Sequence, residues 1–184
     1  MALGKSRTRI QVRGGGFLLM REISPTPSDT FLDVGYLQQT EFTDTRNMIE
    51  AIDERGLQVD FIEGGTIVVL KATLMQADAD VIALLRNSAS KYYDVYYYAV
   101  LADGKYQEFS APVCKFMGGP KMTFAANTIR TVELELRLLP SKGAYTRTPA
   151  AFNVALGDFY VVSENAAKQG PPSDTASNTA AACL

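Results

Sequence analysis

The chain has 184 residues, enough for one domain with a sizeable core. Its formal net charge of −2 argues against a general nucleic-acid binder, because such a protein needs a basic surface to release counterions from phosphates. The sequence has no histidine, and Cys114 and Cys183 form no metal-ligand pattern, so we expect no enzyme, metal or cofactor. No apolar run approaches the ~20 residues that cross a bilayer, which predicts a product made in the cytoplasm without a membrane partner.

Residues 1–30 are predicted to be an irregular basic arm and connector. Three glycines, residues 14–16, make a flexible joint, and Pro25 and Pro27 stiffen the connector after that joint. This arm either docks on an acidic neighbour or is a disordered leader. Its basic side chains are Lys5, Arg7, Arg9 and Arg13.

Residues 31–42, FLDVGYLQQTEF, are predicted to form a strand that leads into an acidic segment. Between Glu41 and Glu63 there are seven acids and only two arginines. Such a charge run is typical of a solvated surface loop. The alternative is an electrostatic contact with a basic partner surface, for which the basic arm of another copy is a candidate.

A hairpin and a helix come after the acidic segment. Apolar and polar residues alternate from Leu57 to Phe61, and Gly64-Gly65 is predicted to be a tight two-residue turn before the apolar strand TIVVLKATLM. In QADADVIALLRNSAS, residues 76–90, apolar side chains recur at helical spacing, which predicts an amphipathic helix.

The segment 91–109 holds five tyrosines within seven residues, from Tyr92 to Tyr98. Asp103-Gly104 predicts a type I′ hairpin in which Leu101 pairs with Tyr106. In that register one face, with Tyr96 and Tyr98, suits a core. The other face is mixed, and it suits a subunit interface or a wet lumen, because the tyrosine ring is apolar and its tip is polar. A buried core and the stacking of nucleic-acid bases are the alternatives for these tyrosines. That mixed face carries Tyr93, Tyr97, Tyr106, Glu108 and Ser110.

The last clear strand is TVELELRLLP, with apolar side chains at every second position from Val132 to Leu138. Glu133 and Glu135 are the polar face of that strand, and no partner constellation suggests catalysis. A final strand is predicted over residues 152–162. From residue 163 to residue 184 the sequence is small, polar and low in complexity, which predicts a disordered tail.

These elements amount to about seven strands in hairpins with one helix. They predict a mainly β fold, an antiparallel β-sandwich or partly closed barrel with one flanking α-helix, over residues 31–162. The order of parts resembles the tail tube (major tail) proteins of long-tailed bacteriophages. The resemblance covers residues 31–140 and is carried by five segments: FLDVGYLQQTEF, TDTRNMIEAIDERG, VDFIEGGTIVVLKATL, ADADVIALLRNSAS and TVELELRLL.

The resemblance implies a structural virion protein that forms homo-hexameric rings, which stack into a tube with other tail proteins. Viral DNA would pass through the lumen without specific binding. Polar or acidic lumen-facing positions would be Gln58, Asp60, Glu108 and Ser110. The loop that contacts the next ring would carry Glu41, Asp44, Arg46, Glu50, Asp53, Glu54 and Arg55. The proposed inter-subunit strand positions are Tyr93, Tyr97 and Tyr106.

Other interpretations stay open at this point. One is a β-barrel module that binds a ligand or a nucleic acid against the tyrosines. Another is a related tail component, such as a tail terminator or the inner tube of an injection system.

Overall fold

The computed structural model describes residues 16–25, 27–52, 58–74, 79–86, 90–119, 121–123, 131–144 and 146–174. Its regular elements, in chain order, are β1 (Phe17–Ser24), β2 (Leu32–Ile52), β3 (Gln58–Leu74), α1 (Ala79–Arg86), β4 (Tyr92–Val100), β5 (Tyr106–Phe116), β6 (Lys121–Thr123), β7 (Thr131–Leu138), β8 (Arg147–Thr148), β9 (Val161–Asn165) and β10 (Ser173–Asp174). A short 3₁₀ turn spans Ala150–Phe152.

Eight of the strands form one antiparallel sheet in the order β6-β7-β3-β2-β1-β4-β5-β9. β7 also pairs with β5, from Cys114 opposite Leu138 to Phe116 opposite Leu136. The sheet therefore closes on itself along residues 114–116 of β5. Along residues 106–110 of β5 it stays open, and β9 pairs with β5 there instead. This architecture confirms the predicted mainly β fold class. β8 and β10 pair separately.

The core fills the interior of this partly closed barrel. The alternation read in β7 buries Val132, Leu134, Leu136 and Leu138, and these residues pair with β3. The predicted helix is confirmed in α1, which adds Val81 and Leu85 to the same cluster. Burying a side chain of this size contributes about 1.5–3 kcal/mol relative to leaving it exposed.

The expectation of irregular structure up to residue 30 is wrong for β1, which lies between β2 and β4 in the sheet. Leu18 and Met20 point into the core, and both edges of the strand are paired. The apolar run from Phe17 to Met20 is short and lies between glycines and prolines, and such flanks favour an irregular segment. Residues 1–15 lie outside the described ranges.

Gly64-Gly65 does not form a turn, because β3 runs through it. Gly65 pairs with Asn47 and Glu63 pairs with Met48, which leaves Gly64 as the extra residue of a β-bulge. Gly65 has φ +147°, so the pair does supply a positive φ, but inside a strand. A Cβ on Gly64 would come within 2.7 Å of the Ile49 side chain. Since Ile49 is exposed and its side chain can shift, it is the positive φ of Gly65 that favours glycine in the bulge.

The Asp103-Gly104 hairpin is confirmed, but its register differs by one residue from the prediction. Leu101 N–H donates to the Lys105 carbonyl at 2.8 Å, and Val100 rather than Leu101 pairs with Tyr106. Gly104, at φ +83°, closes a three-residue loop, which adds one residue to the expected connection. Because side chains alternate along a strand, this shift moves the β5 residues from Tyr106 to Ala111 to the opposite face, and a β-bulge before Cys114 restores the expected pairing of Cys114 with Tyr93.

The prediction of disorder from residue 163 is wrong for residues 163–174. β9 continues to Asn165 on the edge of β5, and β10 pairs with β8. Residues 175–184 lie outside the described ranges. Specific polar contacts hold residues 163–174 in place, and composition alone does not reveal them.

Candidate assembly interface

The acidic segment expected to be a loop is part of a long two-stranded arm. The arm consists of β2 from Glu41 to Ile52 and β3 from Gln58 to Ile67. β1 pairs with β2 only from Leu32 to Tyr36, and β7 pairs with β3 only from Val68 onward. Within the described residues, neither outer edge of the arm has a strand partner. Exposed edges of this kind template pairing with another chain.

The surface of the arm combines charge with apolar groups. Glu41, Asp44 and Arg46 are exposed on β2, and Ile49 and Ile67 are 58% and 40% exposed. Glu50 also lies on β2, but its side chain is not described. Asp53, Glu54 and Arg55 lie outside the described ranges. The proposed inter-ring segment is therefore strand from Glu41 to Ile52, and its role in ring contacts stays a prediction.

The base of the arm is fixed to the body by three aromatic rings. Phe42 lies 5.2 Å from Phe109 and 4.6 Å from Tyr160 between ring centroids, both edge to face. The Tyr160 hydroxyl donates to Asp44 at 3.3 Å. Burial raises the pKa of Tyr160, and the Asp44 carboxylate raises it further. The rings hold the root of the arm while its outer part projects beyond the barrel.

One face of the tyrosine strand belongs to the barrel core. Tyr93 is fully buried, its ring lies 5.2 Å from Phe116, and its hydroxyl has no hydrogen-bond partner among the described residues. The inter-subunit role predicted for Tyr93 is therefore wrong. Tyr97 and Tyr106 are half-buried, and their inter-subunit roles stay predictions.

The other face carries Tyr96 and Tyr98 beside Glu108 and Ser110, and the chain covers it with its own C-terminal residues. Phe152 packs against Tyr96 at 5.9 Å, and Glu108 and Ser110 are fully buried. The lumen-facing prediction is therefore wrong for Glu108 and Ser110, because the register shift turned them to a covered face. Gln58 and Asp60 lie on β3 with undescribed side chains, and their predicted lumen role is untested.

Beneath this cover lies a buried cluster of two arginines and two aspartates: Arg21, Asp94, Arg147 and Asp174. Arg21 donates to Asp94 Oδ2 through Nε at 2.9 Å and through Nη2 at 2.8 Å. Arg147 donates to the same oxygen and, through Nη1, to Ser110 at 2.9 Å. Burial raises the pKa of Asp94, and the two guanidinium groups oppose that rise. A charge cluster this deep is tolerated only when its charges are paired and hydrogen-bonded.

No local signal in the sequence points to this cluster. Its members come from β1, β4, β8 and β10, and Arg21 and Asp174 are 153 positions apart. Asp94 is the one hint, since it is an acid inside an aromatic strand with no turn beside it. Only the sheet order brings the four side chains together.

The described residues offer little else for site chemistry. Burial raises the pKa of the Cys114 thiol well above its usual range, so this thiol stays protonated and unreactive. Among the described ranges there is no group of three potential metal ligands. No helix in the described part of the chain has the length and apolarity to span a membrane.

No protein-family model and no curated protein sequence matches the chain. Among solved structures, the SPP1 tail tube protein is similar over 69% of this chain and 75% of its own, at 12% identity and a TM-score of 0.50. A chain of the anti-feeding prophage baseplate is similar over 74% and 93%, at 14% identity and a TM-score of 0.49. A chain of a gene transfer agent tail gives 65% and 89%, 13% identity and a TM-score of 0.44. The SPP1 likeness confirms, at the level of fold, the resemblance drawn from the sequence: this chain has the fold of a phage tail tube protein.

Proposed function

We propose that this chain is a structural virion protein that polymerises into a phage tail tube. In this proposal six copies form a ring, the rings stack, and viral DNA passes through the central lumen during ejection. The number six and the role in DNA passage come from the resemblance of the sequence to tail tube proteins.

The observation that carries the proposal is the arm, whose outer edges pair with no further strand among the described residues. An isolated two-stranded hairpin is at best marginally stable in water. This arm continues β2 and β3 beyond the strands that support them, and it exposes Ile49 and Ile67. A neighbouring copy that paired with the arm would satisfy its backbone groups and cover its apolar side chains. The shared fold with the SPP1 tail tube protein supports the same conclusion.

The lumen assignment now depends on fewer residues. Gln58 and Asp60 remain the proposed lumen-facing positions, since they stand on the arm. Polar or acidic groups there would not retain DNA phosphates, which suits a passive conduit. Arginine and lysine would slow the passage of DNA by binding it.

Cryo-electron microscopy of the concentrated, purified chain tests the proposal. We expect rings or tubes with an open centre, with arms of adjacent copies paired. Single rings that never stack would favour a tail terminator instead. A chain that stays monomeric at millimolar concentration would contradict the assembly proposal.

The ligand-binding alternative loses its main support. It required tyrosines with an open face, and on each face of β4 one tyrosine is fully buried by the chain itself. Tyr93 lies in the barrel core, while Tyr96 lies under Phe152.

A further inference from the structure

The cover over the second tyrosine face ends in a short segment, residues 166–174, which we name the latch. Its Lys168 lies over Tyr98, the middle ring of an aromatic strip that also contains Phe17 and Tyr106. Tyr98 stacks on Phe17 at 5.1 Å between ring centroids and lies 6.5 Å from Tyr106. Lys168 of the latch places its ammonium 3.7 Å from the centre of the Tyr98 ring, a cation–π contact.

The first anchor of the latch is the buried carboxylate of Glu108. Its Oε1 accepts the backbone N–H groups of Gln169 at 2.9 Å and Gly170 at 3.3 Å, together with the Tyr96 hydroxyl. Its Oε2 accepts the side-chain amide of Asn165 at 3.1 Å. None of these partners carries a positive charge, so the buried carboxylate is stabilised by hydrogen bonds alone. Two of the donors, the N–H groups of Gln169 and Gly170, belong to the latch.

The second anchor has the opposite arrangement, since here the latch supplies the carboxylate. Asp174 accepts Arg21 Nη2 at 2.6 Å and Arg147 Nε at 3.0 Å. Both arginines also bind Asp94, so the cluster holds two positive and two negative charges. Withdrawing Asp174 would leave a buried excess of one positive charge, which is costly.

Apolar burial contributes little to holding the latch. Ala166, Ala167, Lys168, Gln169 and Pro171 are exposed, and Pro172 is buried. The closed state therefore depends on the two charged anchors, on the pairing of Ser173 and Asp174 with β8, and on the Lys168 contact.

We propose that residues 166–174 act as a charge-locked latch, which opens as one unit and uncovers Tyr98 in the aromatic strip. Because the anchors share one short segment, weakening either anchor weakens the other. The latch is a property of the single subunit, and it does not depend on the proposed tail tube function.

Gly170→Ala tests the latch without touching a buried charge. Gly170 has φ +85°, and a Cβ there would meet nothing within 4 Å, so alanine strains only the latch backbone. Gly157→Ala is the matched control, because Gly157 has φ +88°, has equally open surroundings and lies outside the latch. Both full-length variants are compared with the natural chain by hydrogen exchange at backbone amides.

We expect Gly170→Ala to speed exchange roughly tenfold at Gln169 and at Asp174 alike, while core amides such as Leu136 keep their rates. Gly157→Ala should leave the latch amides unchanged. Acceleration confined to Gly170 and its immediate neighbours would overturn the single-unit latch.

Asp174→Asn supplies the reciprocal test, with the exposed Asp29→Asn as its control. Exchange at Gln169 and Gly170 should accelerate, although both amides donate to Glu108. Binding of an apolar fluorescent dye should rise as Tyr98 is uncovered. Unchanged exchange at these two amides, or unchanged dye binding, would refute the proposal. If Asp174→Asn prevents folding, Gly170→Ala decides alone, with the dye assay added.

Discussion

Tyr93 places its hydroxyl in the barrel core without a hydrogen-bond partner among the described residues. A buried, unpaired polar group costs about 1–3 kcal/mol in desolvation. We therefore expect Tyr93→Phe to raise the free energy of unfolding by about 1 kcal/mol, as measured by urea denaturation. Tyr106→Phe, at a half-buried position, is the control and should change it little. A loss of stability in Tyr93→Phe would mean that the hydroxyl is satisfied.

The same residue predicts how stability depends on pH. Burial, with a smaller contribution from the Glu22 carboxylate, raises the pKa of Tyr93 to about 12. Burial also raises the pKa of Tyr96, as does its hydrogen bond to Glu108. The unfolded chain therefore loses these protons first, near pH ~10, and the folded chain holds them longer.

The contribution of these two protonated tyrosines to the free energy of unfolding should thus be complete below pH ~10. It should fall as the pH rises toward 12, by up to about 1.4 kcal/mol per pH unit for each tyrosine. Urea denaturation between pH 8 and pH 11 measures this fall. It should be shallower in Tyr93→Phe, and an equal slope in the two chains would argue that Tyr93 ionises freely.

At the scale of elements, the arm gives the sharpest prediction. Ile49 is 58% exposed on the arm, and Leu156 is 70% exposed away from it. If copies pair along the arm, Ile49→Lys should reduce the polymerised fraction severalfold, whereas Leu156→Lys should not. Both variants should keep the thermal midpoint of the subunit, because both side chains are exposed. Sedimentation measures the polymer, and an equal effect of the two variants would place the interface elsewhere.

The turn between β4 and β5 shows how one residue of loop length decides which groups are buried. The sequence-based prediction placed Glu108 and Ser110 on an open face, whereas the three-residue loop places both under the C-terminal cover. Turn type is set by a balance of a few backbone contacts, and Asp-Gly is compatible with both connections.

At the scale of the whole molecule, charge governs the predicted contact between rings. We expect the N-terminal basic residues to dock on the acidic segment, from Glu41 to Glu63, of a neighbouring copy. These basic residues are Lys5, Arg7, Arg9 and Arg13. Deleting residues 1–13 should weaken stacking, and added salt should weaken stacking of the intact chain, because exposed charges are screened within ~8 Å at physiological ionic strength. Electron microscopy of tube length at several salt concentrations, for the intact and the shortened chain, tests both predictions. Stacking that is indifferent to the deletion and to salt would reject the pairing.

The sequence by itself determined the mainly β class, the helix α1 and the core face of β7, since each arises from local periodicity within a single element. The same local rules misread β1, the Gly64-Gly65 bulge and residues 163–174, where flanking glycines, prolines or polar composition outweighed the pattern. Only the tertiary structure decided that Arg21, Asp94, Arg147 and Asp174 meet, and that the second tyrosine face is covered. Contacts between residues so far apart in the chain depend on strand order and register, and one residue of register turns a side chain from solvent to core.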